Sequence, residues 1–147
     1  MKKRPFVITS LLLLSLMAAP QLVRAQDAMA VSIPFEFVAG RATLPAGEYR
    51  IQKLNETSAV LLIHCSDPSA SVLVITNAAQ AKKMQTGSKL VFNRYGNRYF
   101  LSQVWTAGSI RGRQLLKSPG EKEIAQIASI ETKAEVTLVA RLTPAHQ

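Results

Sequence analysis

Over residues 31–37 apolar and polar side chains take turns: Val31, Ile33, Phe35 and Phe37 alternate with Ser32, Pro34 and Glu36. Period two predicts a half-buried strand with the first set on one face. Pro34 has no N–H to give a neighbour, so this strand is expected at a sheet edge or with a bulge at the proline. The chain then turns at Leu44-Pro45-Ala46-Gly47, where Pro suits the second position and Gly the fourth of a type I turn. A second strand is predicted over 48–54, with Tyr49 and Ile51 facing one way and Arg50 and Gln52 the other. After the polar loop 55–58, residues 59–65 are too uniformly apolar to show a face to water and predict a central strand. The 66–69 turn leads into another strand over 71–76. Residues 77–88 are ambiguous: their alanines allow a helical turn, while Lys82-Lys83 and Gly87 favour an exposed loop.

The best-defined hairpin joins strands over 90–95 and 98–105 through Gly96-Asn97. A two-residue connection with glycine first suits a type II′ turn, whose twist matches the flanking strands. That turn pairs Tyr95 with Arg98, Arg94 with Tyr99 and Phe92 with Leu101. It places Phe92, Arg94, Tyr99, Leu101 and Gln103 on one face, and Val91, Tyr95, Arg98, Phe100 and Val104 on the other. Residues 106–117, with Arg111-Gly112-Arg113 at their centre, read as a basic loop or irregular strand. The period then changes. Ser118-Pro119-Gly120-Glu121 has the capping-box pattern, and Ile124 and Ile127 fall at helical spacing. A helix is predicted over 119–132, laying both isoleucines on the sheet. A last strand over 135–142 brings Val136, Leu138 and Ala140 to one face.

About seven strands, short turns and one late helix predict a mainly β fold. The chain is expected to form a single antiparallel β-barrel or sandwich, with one C-terminal helix before the last strand. The helix would cover an open end or an edge. No repeat or long linker divides residues 26–147, so one domain is expected.

The N-terminus follows a different pattern. Lys2, Lys3 and Arg4 precede an uncharged apolar run over 6–19, Pro20 breaks it, and Val23-Arg24-Ala25 offers small residues for signal peptidase. Residues 1–25 are therefore expected to be a cleaved signal peptide, with Ala28-Met29-Ala30 as a reserve cut site. As a helix, the 14 apolar-run residues reach about 21 Å, too short for a hydrocarbon core of about 30 Å. The leader holds four of the 18 Lys+Arg and none of the nine Asp+Glu, so its removal takes the charge from +9 to +5. That weakens any nucleic-acid reading. The sole cysteine, Cys65, is far from the cut, so no lipid anchor is expected. It sits in an apolar stretch, where burial is the ordinary fate of a free thiol.

Two segments carry a resemblance. Pro34-Phe35-Glu36-Phe37, followed by Leu44-Pro45-Ala46-Gly47-Glu48-Tyr49-Arg50, is similar to the opening of a family of small exported proteins of soil bacteria. Arg94-Tyr95-Gly96-Asn97-Arg98-Tyr99-Phe100-Leu101 with Val104-Trp105 resembles that family's second signature. The likeness keeps its order over most of the chain beyond the leader. It implies an exported β-rich protein and carries over no catalytic residue.

Candidate chemistry is sparse. His64-Cys65-Ser66-Asp67 holds nucleophiles beside a base, yet strand neighbours point to opposite faces, so His64 and Cys65 are not expected to pair. His146 is one residue from the end. One Cys and two His with scattered carboxylates predict no zinc site, and phosphate-binding glycine loops are absent. No cofactor is expected. The candidate contact surface is basic and aromatic: Arg94, Tyr95, Arg98, Tyr99, Arg111 and Arg113, fit for an anionic surface or a small ligand. Strands of six to eight residues in odd number argue against an outer-membrane barrel. The reading is a soluble periplasmic or extracellular module that binds an envelope component or small ligand and is not an enzyme. The alternatives are an envelope assembly subunit and a hydrolase with its site in a barrel mouth.

Overall fold

The computed structural model describes residues 28–55, 57–67, 70–128 and 134–143. The leader, Glu56, the Pro68-Ser69 half of the turn, the end of the expected helix (129–132) and His146 lie outside them. Among the described residues there are ten strands and one helix. In chain order these are β1 (Ala28–Ile33), β2 (Phe37–Ala39), β3 (Ala42–Leu44), β4 (Gly47–Lys53), β5 (Val60–Cys65), β6 (Ser71–Gln80), β7 (Ser88–Tyr95), β8 (Arg98–Trp105), β9 (Arg111–Leu115), α1 (Pro119–Ile127) and β10 (Ala134–Thr143).

Eight strands close a barrel in the order β8-β7-β10-β1-β4-β5-β6-β9, with β9 returning to β8. Every pairing around the ring is antiparallel. The strand count exceeds the expected seven because β2, β3 and β9 are additional, and the number in the barrel is even. Closure leaves those eight strands paired on both sides, which removes the exposed edges of an open sheet.

Alternation sets the inside. Val31 and Ile33 of β1, Tyr49 and Ile51 of β4, Leu61 and Ile63 of β5, and Leu90 and Phe92 of β7 all enter one buried cluster. Val136, Leu138 and Ala140 of β10 join it on the face the sequence predicts. The strand expected over 31–37 is broken: the chain leaves the barrel at Pro34, which cannot donate to a ladder, and resumes as β2.

The β7–β8 hairpin turns at Gly96 with φ +59°, and no described non-glycine residue has positive φ. Positive φ at the first turn residue alone is the type II′ signature. The register follows the turn as far as Phe92↔Leu101, then slips to Val91↔Gln103. Ser102 is the extra residue of this bulge, and parity reverses beyond it. Val104 therefore faces the core, the opposite of the expectation from the turn alone, and Gln103 lies on the outer face.

Helix α1 starts where its capping motif says. Ser118 Oγ accepts from the Glu121 N–H at 3.1 Å, and Pro119 is the first helical residue. The Glu121 carboxylate does not reach back to the cap. It is 4% exposed and accepts from Asn93 Nδ2 at 2.8 Å and from the Tyr95 hydroxyl at 3.3 Å. Asn93 and Tyr95 alternate with the core residue Phe92, so the helix is pinned to the outer wall of β7, not laid over an open end. Ile127 is 69% exposed, a correction to its expected place on the sheet. The Glu121 anchor holds the first turn of the helix against β7. Among the described residues no helix is long and apolar enough to cross a membrane.

Candidate functional site

The two ends of the barrel differ in how they are finished. At one end lie the close of β1, the start of β4 and the close of β5. Segment 34–46, carrying β2 and β3, folds over this end, and β2 joins β8 through a parallel pairing at Val38↔Phe100. Phe35 stacks on Tyr99 with ring centroids 3.9 Å apart and meets Phe92 edge-on at 5.2 Å. Phe37 meets Tyr49 and Phe92 edge-on at 5.2 and 5.6 Å. The Tyr49 hydroxyl donates to the Pro45 carbonyl at 2.6 Å, which ties the connection between β3 and β4 to the wall. This end is an aromatic plug.

Burial pushes the Tyr49 phenol up to about 12, with the neighbouring Cys65 thiol adding to the rise. Burial, then the Glu121 carboxylate, raises Tyr95 as well. Both groups hold their protons more tightly folded than unfolded. Their contribution to stability is therefore complete below the usual tyrosine value of about 10 and is lost as pH climbs past it. Unfolding free energy should fall above about pH 10, and tyrosinate absorbance should show Tyr49 ionising well above the usual tyrosine value, near the loss of structure. If Tyr49 ionises near the usual tyrosine value with the fold intact, this account of the plug is wrong.

The other end is open. The start of β1 and β9 and the close of β4, β6 and β8 surround a cavity of about 670 Å³. Met29, Ile51, Leu61 and Val104 line its depth, and all four are buried. Alternation continues upward from core residues. Ile51 is followed by Lys53, Thr76 by Ala78 and Gln80, and Leu115 is preceded by Arg113 and Arg111, so these side chains leave their strands on the inner side. The Arg113 guanidinium crosses toward the β4–β5 turn, where its Nη2 donates to the Ser58 carbonyl at 3.0 Å.

The rim is braced. Ala81 N–H donates to the Ile110 carbonyl at 2.8 Å, Gln85 N–H to Ser109 at 3.1 Å, and Gly108 N–H to Gln85 at 2.8 Å. Gly108 has φ +73°, a conformation that suits glycine. The buried Ser88 hydroxyl accepts from Ala107 N–H at 3.0 Å. These bonds join loops 81–87 and 106–110 into one wall, so the mouth is formed before any ligand arrives.

The six expected contact residues do not form one surface. Arg94, Tyr95, Arg98 and Tyr99 sit at the hairpin tip beside the plug, and Arg111 and Arg113 sit at the mouth. The length of β8 separates them, about 23 Å at ~3.3 Å per residue. Tyr95 is buried against Glu121, and Tyr99 is occupied by Phe35. Arg94 Nε donates to the Gly96 carbonyl at 2.8 Å while its guanidinium lies 5.5 Å from the Tyr99 ring. Arg98 lies 5.4 Å from the ring of Phe100. These contacts make the tip self-contained.

His64 is exposed on the outer wall, and its Nδ1 is hydrogen-bonded to the Ser71 hydroxyl across β5–β6. Cys65 is buried on the other face, near Tyr49, as strand alternation requires. Among the described residues no three His, Cys, Asp or Glu side chains stand together. None of these four residue types is among the described residues that line the mouth.

Lys53, Gln80 and the apolar floor were not apparent as a site in the sequence. The available signal was the continuation of period two through Val74, Thr76, Ala78 and Gln80, and the shared parity of Arg111, Arg113 and Leu115. The chain matches no known protein family, curated protein or solved structure, so its function is read from the geometry of the barrel itself.

Proposed function

We propose that this chain is an exported, non-enzymatic β-barrel that binds a small ligand in its open mouth. The observation that carries this is the cavity of about 670 Å³ with a buried apolar floor and a polar, braced rim. Binding sites for small molecules are typically concave, of ~300–1,000 Å³, mostly apolar with a few placed polar groups. An eight-stranded barrel is wide enough to hold one such ligand when side chains do not fill it. Here one continuous core runs from the aromatic plug to Met29, Ile51, Leu61 and Val104, and the open mouth lies above those four.

The mouth offers cations, amides and hydroxyls, and its described lining holds no carboxylate, imidazole or thiol to take a proton. Ser109 spends its hydroxyl on the backbone of Arg111. This supports binding over hydrolysis. Strand β1, between β10 and β4 of its own chain, is already paired on both sides, which favours a ligand carrier over a strand-donating assembly subunit.

Export rests on the tripartite leader. Cleavage after Ala25 leaves β1 whole. Cleavage after Ala30 removes Ala28, Met29 and Ala30, which pair with β10, and Met29 is part of the mouth floor. The outer wall of β4 and β5 shows Glu48, Arg50 and His64 exposed, whereas a membrane-spanning barrel shows an apolar band there. We propose on these grounds that the mature barrel works in water, in the periplasm or outside the cell.

The test is titration with Nile red, a neutral apolar dye, against the folded chain and Ala78→Trp, which fills the mouth. Saturable one-site fluorescence that the tryptophan abolishes, with the strand signal in circular dichroism unchanged, is expected. No saturable binding, or binding indifferent to the tryptophan, overturns the reading.

A further inference from the structure

We infer that the mouth takes an amphiphile with an anionic head, a carboxylate or phosphate ester on an apolar tail; this rests on the ligand-binding reading above. Lys53 closes β4, and Arg111 and Arg113 open β9, so the mouth receives cations from two sides. No carboxylate stands among the described lining residues to neutralise them. The remaining polar groups at the rim, Gln80, Thr106 and Ser109, are neutral.

Arg113 is half-buried and spends one N–H on Ser58. A guanidinium has five donors in a planar fork, so the rest of the fork is available to an incoming anion. That fork matches the paired oxygens of a carboxylate or phosphate. Its tether to the β4–β5 turn holds it in place, which lowers the ordering cost of binding. Below it, the tops of the core residues Met29, Ile51, Leu61 and Val104 make the floor apolar. A head alone leaves that surface unused, and an uncharged tail alone leaves the cations without a partner. A cationic head meets like charges in a partly desolvated site, an unfavourable arrangement.

The experiment displaces Nile red from the folded chain with four probes that share one tail: dodecanoate, dodecyl phosphate, dodecanol and dodecyltrimethylammonium, each kept below its micelle concentration. The two anions are expected to displace the dye more tightly than dodecanol, with an advantage that shrinks as salt is raised, and the cation is expected to be weakest. Comparing dodecanoate with dodecyl phosphate tells which head is preferred. The double substitution Lys53→Gln with Arg111→Gln, both at exposed positions, should lower the dodecanoate-to-dodecanol affinity ratio by about tenfold. Dodecanoate and dodecanol binding equally, or an unchanged ratio in the double variant, overturns the anionic head and leaves the ligand-binding reading standing. Absence of Nile red binding in the unsubstituted chain overturns both.

Discussion

Replacing Phe92 with Ala is expected to lower the unfolding free energy by about 3–5 kcal/mol. Phe92 is fully buried and, among the described residues, is the one ring that touches both Phe35 and Phe37. Its removal takes away apolar area and also opens a space that Phe35, stacked on Tyr99, and Phe37, edge-on to Tyr49, cannot both collapse into. The transfer and cavity costs therefore add. The control is Val139→Ala on the outer wall, 80% exposed, which should change stability by less than about 0.5 kcal/mol. Denaturant unfolding of the two variants measures the difference, with midpoints compared at unchanged slope. A Phe92→Ala cost no larger than that of Val139→Ala would mean that the plug is not what holds this end of the barrel.

The plug also explains which sequence features were legible. Phe35, Phe37, Pro45 and Tyr49 come from the two parts of the first motif, and Tyr99 from the second. They meet at one end of the barrel, so those motifs describe packing. Local turn chemistry was equally readable: Gly96 set the hairpin, and Ser118 set the start of α1. What escaped was set by closure. Strand β9, Arg-Gly-Arg-Gln-Leu, has only one large apolar residue and no β-branched residue, so its sequence leaves loop and irregular strand both open. It becomes one because β6 and β8 present ladders on both sides. The Ser102 bulge, which turns Val104 inward, likewise accommodates barrel geometry that two strands alone do not contain. The mouth was invisible for the same reason. Lys53 and Arg111 are far apart in sequence and reach one rim only because the ring closes. Charge counting found the arginines and could not say that the barrel's length divides them.

Gly112→Ala is the second large effect expected, and it tests that closure directly. A Cβ built on Gly112 would lie 2.4 Å from Trp105 Cε3 and 2.7 Å from Cδ2 and Cζ3. Gly112 and Trp105 are paired across β8–β9 on the outer wall, with the indole lying over the glycine. The ring is buried and its Nε1 donates to Gln103 Oε1 at 3.0 Å, so it cannot swing aside freely. The seam has three paired positions, against five between β6 and β9, and is the shorter attachment of β9. Overpacking it should cost about 1–3 kcal/mol, with β8–β9 amides exchanging faster than those of β1–β4. Because β9 also carries Arg111 and Arg113, dye binding at the mouth should weaken in the same variant. The cause is isolated by a double-mutant cycle: in a Trp105→Ala background the ring is gone, and Gly112→Ala should then cost little. Equal costs in both backgrounds would show that the indole is not what reserves this position for glycine, and that the barrel is closed by something other than this stacked pair.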